Sequence, residues 1–211
     1  MDSTDPDRLP LRERKKLRTR QALVDTALDL FTERGFDGVT LDALCDAVDV
    51  SKRTFFRTFT SKEDVAMAPT QDLWAAFLEE LERAEPAVGQ PLFDVLRDTL
   101  LAALAGMPAQ GWAGRVLLSR RLAAVTPSMN AHGLAFCDRT SRAVLAAADR
   151  RFALPAGSGL RARLAIDLLV AAFHQALETW AEEPGPTRDS LASALRAACA
   201  AAPGALTVTA R

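Results

Sequence analysis

The side chains best suited to chemistry lie in one short run, Ser51-Lys52-Arg53-Thr54-Phe55-Phe56-Arg57, where cationic, hydroxyl and aromatic residues alternate at helical spacing. Lys52, Arg53 and Arg57 can donate hydrogen bonds to guanine edges or phosphates, and Thr54 can touch a thymine methyl or a phosphate. Phe55 and Phe59 fall four apart on one helical face, whereas Arg53, Phe56 and Arg57 share another, so one side is apolar and the other cationic. Groups suited to catalysis are not assembled this way. The sequence has no Gly-rich phosphate loop, no metal-ligand spacing and no nucleophile elbow. Glu79-Glu80 and Glu182-Glu183 are adjacent carboxylates, which point to different faces of a helix and cannot converge on one metal or one proton. Cys45, Cys137 and Cys199 are odd in number and far apart, with only two histidines in the chain, so neither a disulfide framework nor a zinc site is suggested. No cofactor is implied.

A cationic face of this kind needs elements that hold it outward. Thr40 is placed to cap a first short helix in which Leu41, Leu44 and Val48 recur on one side. Asp49-Val50 breaks that pattern, and Ser51 caps a second helix over Lys52 to Thr58. Two short helices with a tight turn make a helix-turn-helix over residues 40–59, whose second helix docks through one side and enters a major groove through the other. Leu11 to Arg34 reads as a long preceding helix, with Leu17, Val24, Leu28 and Phe31 on a stripe and Gly35 as its stop. Its basic half, including Lys15 and Arg18, is expected beside phosphate backbone, adding salt-sensitive affinity without sequence information. Ser61-Lys62-Glu63-Asp64 reads as a capping box opening a fourth helix, whose free N–H groups can hold a phosphate together with Lys62.

The overall charge of −1 hides an uneven distribution. Seven basic residues stand between Arg8 and Arg20 against Glu13 alone, and four stand between Ser51 and Lys62 with no acidic residue. From Glu63 onward 14 Arg meet 16 Asp or Glu. A basic head on a slightly acidic body suits a DNA reader whose body stays off the DNA. The candidate DNA-contacting set is therefore Thr40, Ser51, Lys52, Arg53, Thr54, Phe56, Arg57 and Lys62, with Lys15 and Arg18 on the backbone, and the expected partner is a double-stranded operator, an inverted repeat if two heads bind together.

The region from Arg14 to Val65 resembles the DNA-binding domain of the TetR family of transcriptional regulators. The matching pieces are Ala27-Leu28-Asp29-Leu30-Phe31 with Gly35-Phe36, then Val39-Thr40-Leu41, then Val50-Ser51-Lys52-Arg53-Thr54-Phe55-Phe56, and Phe59 followed by Ser61-Lys62-Glu63. Two positions depart from the family pattern. Asp49 stands where the family usually has a turn Gly, and Asp tolerates a left-handed conformation better than most residues. Phe56 stands where the family usually has Tyr, which removes a phenolic hydrogen bond to phosphate and leaves the ring's packing. The resemblance implies a fourth helix linking head to body, a ligand cavity among helices four to eight, and paired eighth and ninth helices forming a four-helix bundle across a dimer. The run from Lys52 to Val65 also resembles a subgroup associated with acyl-CoA-like ligands.

The whole chain is expected to be all-α, with about nine helices. Residues 1–10 read as a disordered tail that is neither a signal nor a transit peptide, 11–65 as the helix-turn-helix domain and 66–211 as a ligand-binding and dimerisation body. Pro- and Gly-marked breaks leave body segments near 61–85, 91–106, 110–124, 127–152, 159–182 and 187–201, with Pro69 a possible kink. No stretch approaches about 18 uninterrupted apolar residues, so a cytoplasmic protein without a membrane span is expected. Leu168, Ala172, Leu177 and Trp180 of one long segment, with Leu191 and Leu195 of the last, form stripes that read as a homodimer interface. Trp74, Phe77, Trp112, Met129, Phe136 and Phe173, with Arg120 and His132 as polar anchors, are the candidate pocket for an apolar or amphipathic effector. The expected function is a sequence-specific DNA-binding regulator, a repressor released by that effector. The contrasting readings are an architectural DNA binder without effector and an all-helical enzyme.

Overall fold

The computed structural model describes residues 10–205 and 207–209. All regular elements among them are helical: α1 Leu11–Arg34, α2 Leu41–Ala47, α3 Lys52–Phe56, α4 Lys62–Arg83, α5 Leu92–Gly106, α6 Trp112–Val125, α7 Pro127–Arg151, α8 Gly159–Ala181 and α9 Arg188–Ala205. The tail expected over residues 1–10 lies outside the described residues except for Pro10, which precedes α1 with φ −52°. The breaks fall at the Pro and Gly positions that the sequence marks, because neither residue type continues a helix cheaply. Pro69 is carried inside α4 and Pro203 inside the last turn of α9.

Among the described residues the chain forms two compact units, the first of residues 10–69 with Leu118–His132, the second Thr70–Leu117 with residues from Gly133 onward. The first unit thus takes in the α6–α7 corner as well as the helix-turn-helix segment. Its core joins Leu23, Val24, Leu28 and Phe31 of α1 to Leu44, Phe55, Phe59 and Val65, with Leu122 and Met129 from the corner. The α1 stripe begins later than its spacing predicts. Leu17 precedes Leu23 by about 9 Å of helix and is left 48% exposed, so it is not a core residue.

In the second unit α8 and α9 pair, and α5 packs on both. Leu96, Leu100, Ile166, Leu169, Phe173 and Trp180 are at most 1% exposed. The corner between α8 and α9 is fixed by a part-buried hydrogen bond in which Trp180 Nε1–H donates to the Thr187 carbonyl at 2.7 Å. Thr187 and Ser190 cap one another: the Ser190 N–H donates to Thr187 Oγ1 and the Thr187 N–H to Ser190 Oγ, at 3.1 and 3.0 Å. Arg188 then donates to the carbonyls of Ala105 and Met107 at 3.0 and 2.7 Å, satisfying acceptors that the end of α5 leaves open.

This packing corrects the interface residues expected from the stripes. Ala172, Leu177, Trp180, Leu191 and Leu195 are buried inside one subunit, with Trp180, Leu191 and Leu195 at 0% exposure, so they have no surface left to give a second copy. An apolar stripe shows that a helix is covered, and here α9 and α5 cover α8 within the chain. Leu168 is only half-buried.

Replacing Trp180 with Phe keeps most of the apolar volume but removes one donor to the Thr187 carbonyl, which still accepts from the Leu191 N–H at 3.1 Å and the Ser190 hydroxyl at 3.2 Å. The expected loss is about 0.5–1.5 kcal/mol of unfolding free energy, read from urea denaturation, with Trp180→Ala costing more because a cavity is added.

Candidate nucleic-acid interface

The helix-turn-helix is assembled by caps at both of its starts. The Ala43 N–H donates to Thr40 Oγ1 at 3.1 Å, opening α2, and the Thr54 N–H donates to Ser51 Oγ at 3.1 Å, opening α3. Between them the Val50 N–H returns to the Cys45 carbonyl at 3.0 Å, and the chain reverses at Asp49 with φ 54°. Asp49 therefore occupies the left-handed conformation where the family pattern has Gly, a role its short polar side chain permits.

α3 is two residues shorter than its pattern predicts, ending at Phe56, although Thr58 and Phe59 still donate to the Phe55 carbonyl at 2.8 and 2.9 Å. Phe55 is fully buried and Phe59 3% exposed, their rings 5.8 Å apart. Lys52, Arg53, Phe56 and Arg57 lie outward, and the Phe56 ring, 56% exposed, meets Phe55 edge-on. Arg53 and Arg57 have no ion-pair partner among the described residues. Lys52 is tied to Asp42 at 2.7 Å, and that hydrogen bond and charge raise its pKa, so it stays cationic. Thr54 is half-buried, with its hydroxyl 3.1 Å from that of Ser51. Lys15 and Arg18 are exposed on the first half of α1.

Lys62 is a correction. Its ammonium faces inward, donating to the carbonyls of Phe36 and Val39 at 2.8 and 2.7 Å, and sits 4.5 Å from the centre of the Phe36 ring. A point charge with three donors satisfies two loop carbonyls and an aromatic face at once, leaving little to offer a phosphate. The start of α4 is likewise occupied by the protein's own groups. The Asp64 N–H donates to Ser61 Oγ at 3.2 Å, and the Asp64 carboxylate accepts from the Thr60 N–H at 2.7 Å. Burial alone would raise the Glu63 pKa, but its own backbone N–H, the Ser61 and Ser128 hydroxyls and His132 outweigh it and hold the carboxyl below its ordinary value.

The eight residues read as an effector pocket are divided between the two units. Trp74, Phe77 and Phe173 stack edge-to-face in the second unit at 5.4 and 5.3 Å, Trp112 joins the same core, and Phe136 packs half-buried against it. They fill space rather than line it. Met129 is fully buried in the first unit's core, and His132, in that unit too, has Nε2 3.8 Å from Asp64 Oδ1, while Arg120 is half-buried there. Aromatic content marks packing as readily as a ligand site, and nothing in spacing separates the two. Arg151 and Arg161, beside breaks that the sequence marks only as helix ends, line a separate cleft of the second unit.

Residues 23–68 match the family model of bacterial regulatory proteins of the tetR family. Residues 23–68 thus carry a TetR-type DNA-binding domain. The chain is similar to the HTH-type transcriptional regulator TcmR of Streptomyces glaucescens, 46% identical over 82 residues that cover 39% of this chain and 36% of TcmR. It is also similar to IcaR of Staphylococcus epidermidis, an HTH-type negative transcriptional regulator of a biofilm operon, 28% identical over 64 residues covering 30% and 35% of the two chains. The matches span about a third of the length of these curated relatives. A solved TetR-family regulator of Mesorhizobium loti aligns over 90% of this chain and 97% of its own at 18% identity, with a TM-score of 0.48. The TetR-type domain therefore covers α2 and α3 entirely, with the second half of α1 and the start of α4.

Two predictions separate framework from interface. Lys62→Met should cost about 2 kcal/mol of stability, as hydrogen bonds to a charged group are lost, while leaving the salt dependence of DNA binding unchanged in a fluorescence-anisotropy titration. Glu63 contributes stability above its unfolded pKa of about 4.3, and that contribution is lost as pH falls through its lower folded pKa. Glu63→Gln should therefore flatten the acid limb of a stability-versus-pH profile while leaving its neutral shape intact.

Proposed function

We propose that this protein is a sequence-specific DNA-binding transcriptional regulator, acting as a homodimeric repressor that a small molecule releases. The observation that carries the reading is the division of α3. Phe55 is sealed in the core while Arg53 and Arg57, one helical turn apart, face outward with no side-chain partner among the described residues. A guanidinium held in that way can form two parallel hydrogen bonds to guanine O6 and N7. Lys52 can exchange Asp42 for a phosphate, a swap of one anion for another. Lys15 and Arg18 add sequence-independent affinity from α1. No helix among the described residues is long and apolar enough to cross a membrane.

A single head reads too few base pairs to be selective, so a second copy is part of the proposal, setting two recognition helices one DNA turn apart. With the inner stripe of α8 covered within the chain, the second copy meets the outer face, where Leu160 and Leu164 are 72% and 57% exposed and Ala171 is exposed beyond them. An effector that binds the body better in a state with wrongly spaced heads shifts the population away from DNA. Catalysis has no part in this reading, in keeping with the regulators that TcmR and IcaR are named as.

The test is a pair of substitutions assayed against specific and random DNA at several salt concentrations. Arg53→Ala should lose about 1–3 kcal/mol on the selected site and relax preference at one base position, whereas Lys15→Ala should weaken all sequences alike and reduce the salt slope by about 1. Equal effects of both variants on specific and random DNA would remove Arg53 from base reading.

A further inference from the structure

The second unit has a cleft of about 800 Å³ between the turn that follows α4 and the turn that precedes α8. Its walls are chiefly apolar, with Leu92 and Val95 of α5 on one side and Phe152, Leu154 and Ala162 on the other. That volume and apolar lining are of the size and kind that take a small organic molecule. Its charged groups are Arg151, Arg161 and Glu85, two guanidiniums against one carboxylate. Arg151 is fixed in place by donating to the Ala84 carbonyl at 3.1 Å. Arg161, in the first turn of α8, makes no ion pair or hydrogen bond among the described residues. Ser158 stands at the N-cap position of α8 without capping it, so its hydroxyl is not spent there.

We propose that this cleft binds an amphipathic monoanion, its apolar body against Phe152, Leu92 and Val95 and its carboxylate on the Arg161 guanidinium beside Arg151. The charge of the ligand follows from desolvation. An apolar body that enters the cleft strips water from Arg161, which is costly unless the ligand brings an acceptor, and an anionic acceptor gives the stronger hydrogen bond. A cationic ligand would meet two like charges and only Glu85 to offset them. This assignment rests on the proposed function for its regulatory meaning, as the seat of the effector, but not for binding itself.

The probes are decanoate, decan-1-ol and decylammonium, which share one apolar chain and differ in head-group charge, titrated calorimetrically into the full chain. Decanoate is expected to bind one site per chain at least tenfold more tightly than decanol, and decylammonium more weakly than either. Arg161→Ala, a change at an exposed position, should bring decanoate to within about threefold of decanol while leaving decanol unaffected. Equal affinity for the three probes, no binding of any, or an undiminished decanoate preference in Arg161→Ala would overturn the assignment. Adding decanoate to a complex with selected DNA tests the other reading separately. If decanoate binds through Arg161 and DNA occupancy does not change, the cleft stands and the effector role in the proposed function fails.

Discussion

Burial of the Phe55 ring is the contact on which the cationic face depends. A helix of five residues has almost no stability of its own, since nucleation costs more than one or two hydrogen bonds return. What fixes its rotation about its axis is the side chain it drives into the core. Full burial of a Phe is worth roughly 1.5–3 kcal/mol, and Phe59 adds a second anchor one turn further on. With those two rings inside, the helical repeat leaves Arg53, Phe56 and Arg57 no direction but outward. The same constraint explains why Asp49 accepts a left-handed backbone: the reversal there is what lets Phe55 reach Leu44 and Leu28 in the shared core.

The second support is electrostatic and comes from the start of α4. Lys62 bridges the loop between α1 and α2 through two carbonyls that the loop backbone leaves open. Glu63 and Asp64 meanwhile lie where the helix dipole favours negative charge, Asp64 also accepting from Thr60. A cation and two carboxylates adjacent in sequence thus serve opposite ends of one local problem, closing the loop behind and capping the helix ahead.

Much of this was legible in the sequence because it is local. Caps at Thr40 and Ser51, the turn at Asp49 and the four-residue interval from Phe55 to Phe59 are short-range patterns, and the structure realises each. Helix ends were legible for the same reason, being written in Pro and Gly. What was not legible is which partner an apolar or charged side chain finds across long sequence separations. Lys62 lies 26 residues from the carbonyl of Phe36, and no spacing rule reaches that far. The stripe of α8 was visible, but a stripe carries no label saying whether α9 of the same chain or another copy covers it. Met129 and Trp74, grouped by their size and place between head and tail, belong to different cores.

The fate of the cations follows one rule across the molecule, and it separates framework from candidate contact. Arg97, Arg142, Arg150 and Arg163 close on carboxylates nearby, and Arg188 and Lys62 close on carbonyls left open by helix ends or loops. Those charges are satisfied and structural. Lack of a partner is not by itself the mark of a contact, since Arg121, Arg139 and Arg196 are exposed and unpaired among the described residues as well. Company is what distinguishes the rest. Arg53 and Arg57 share one outward face of a helix pinned by Phe55, and Arg161 shares a concave apolar cleft with Arg151. A convex row of guanidiniums suits an extended polyanion, because its field adds along the row while water still reaches every group. A guanidinium at the edge of an apolar cleft suits a small anion with a greasy body, because only such a ligand can dry the walls and answer the charge together.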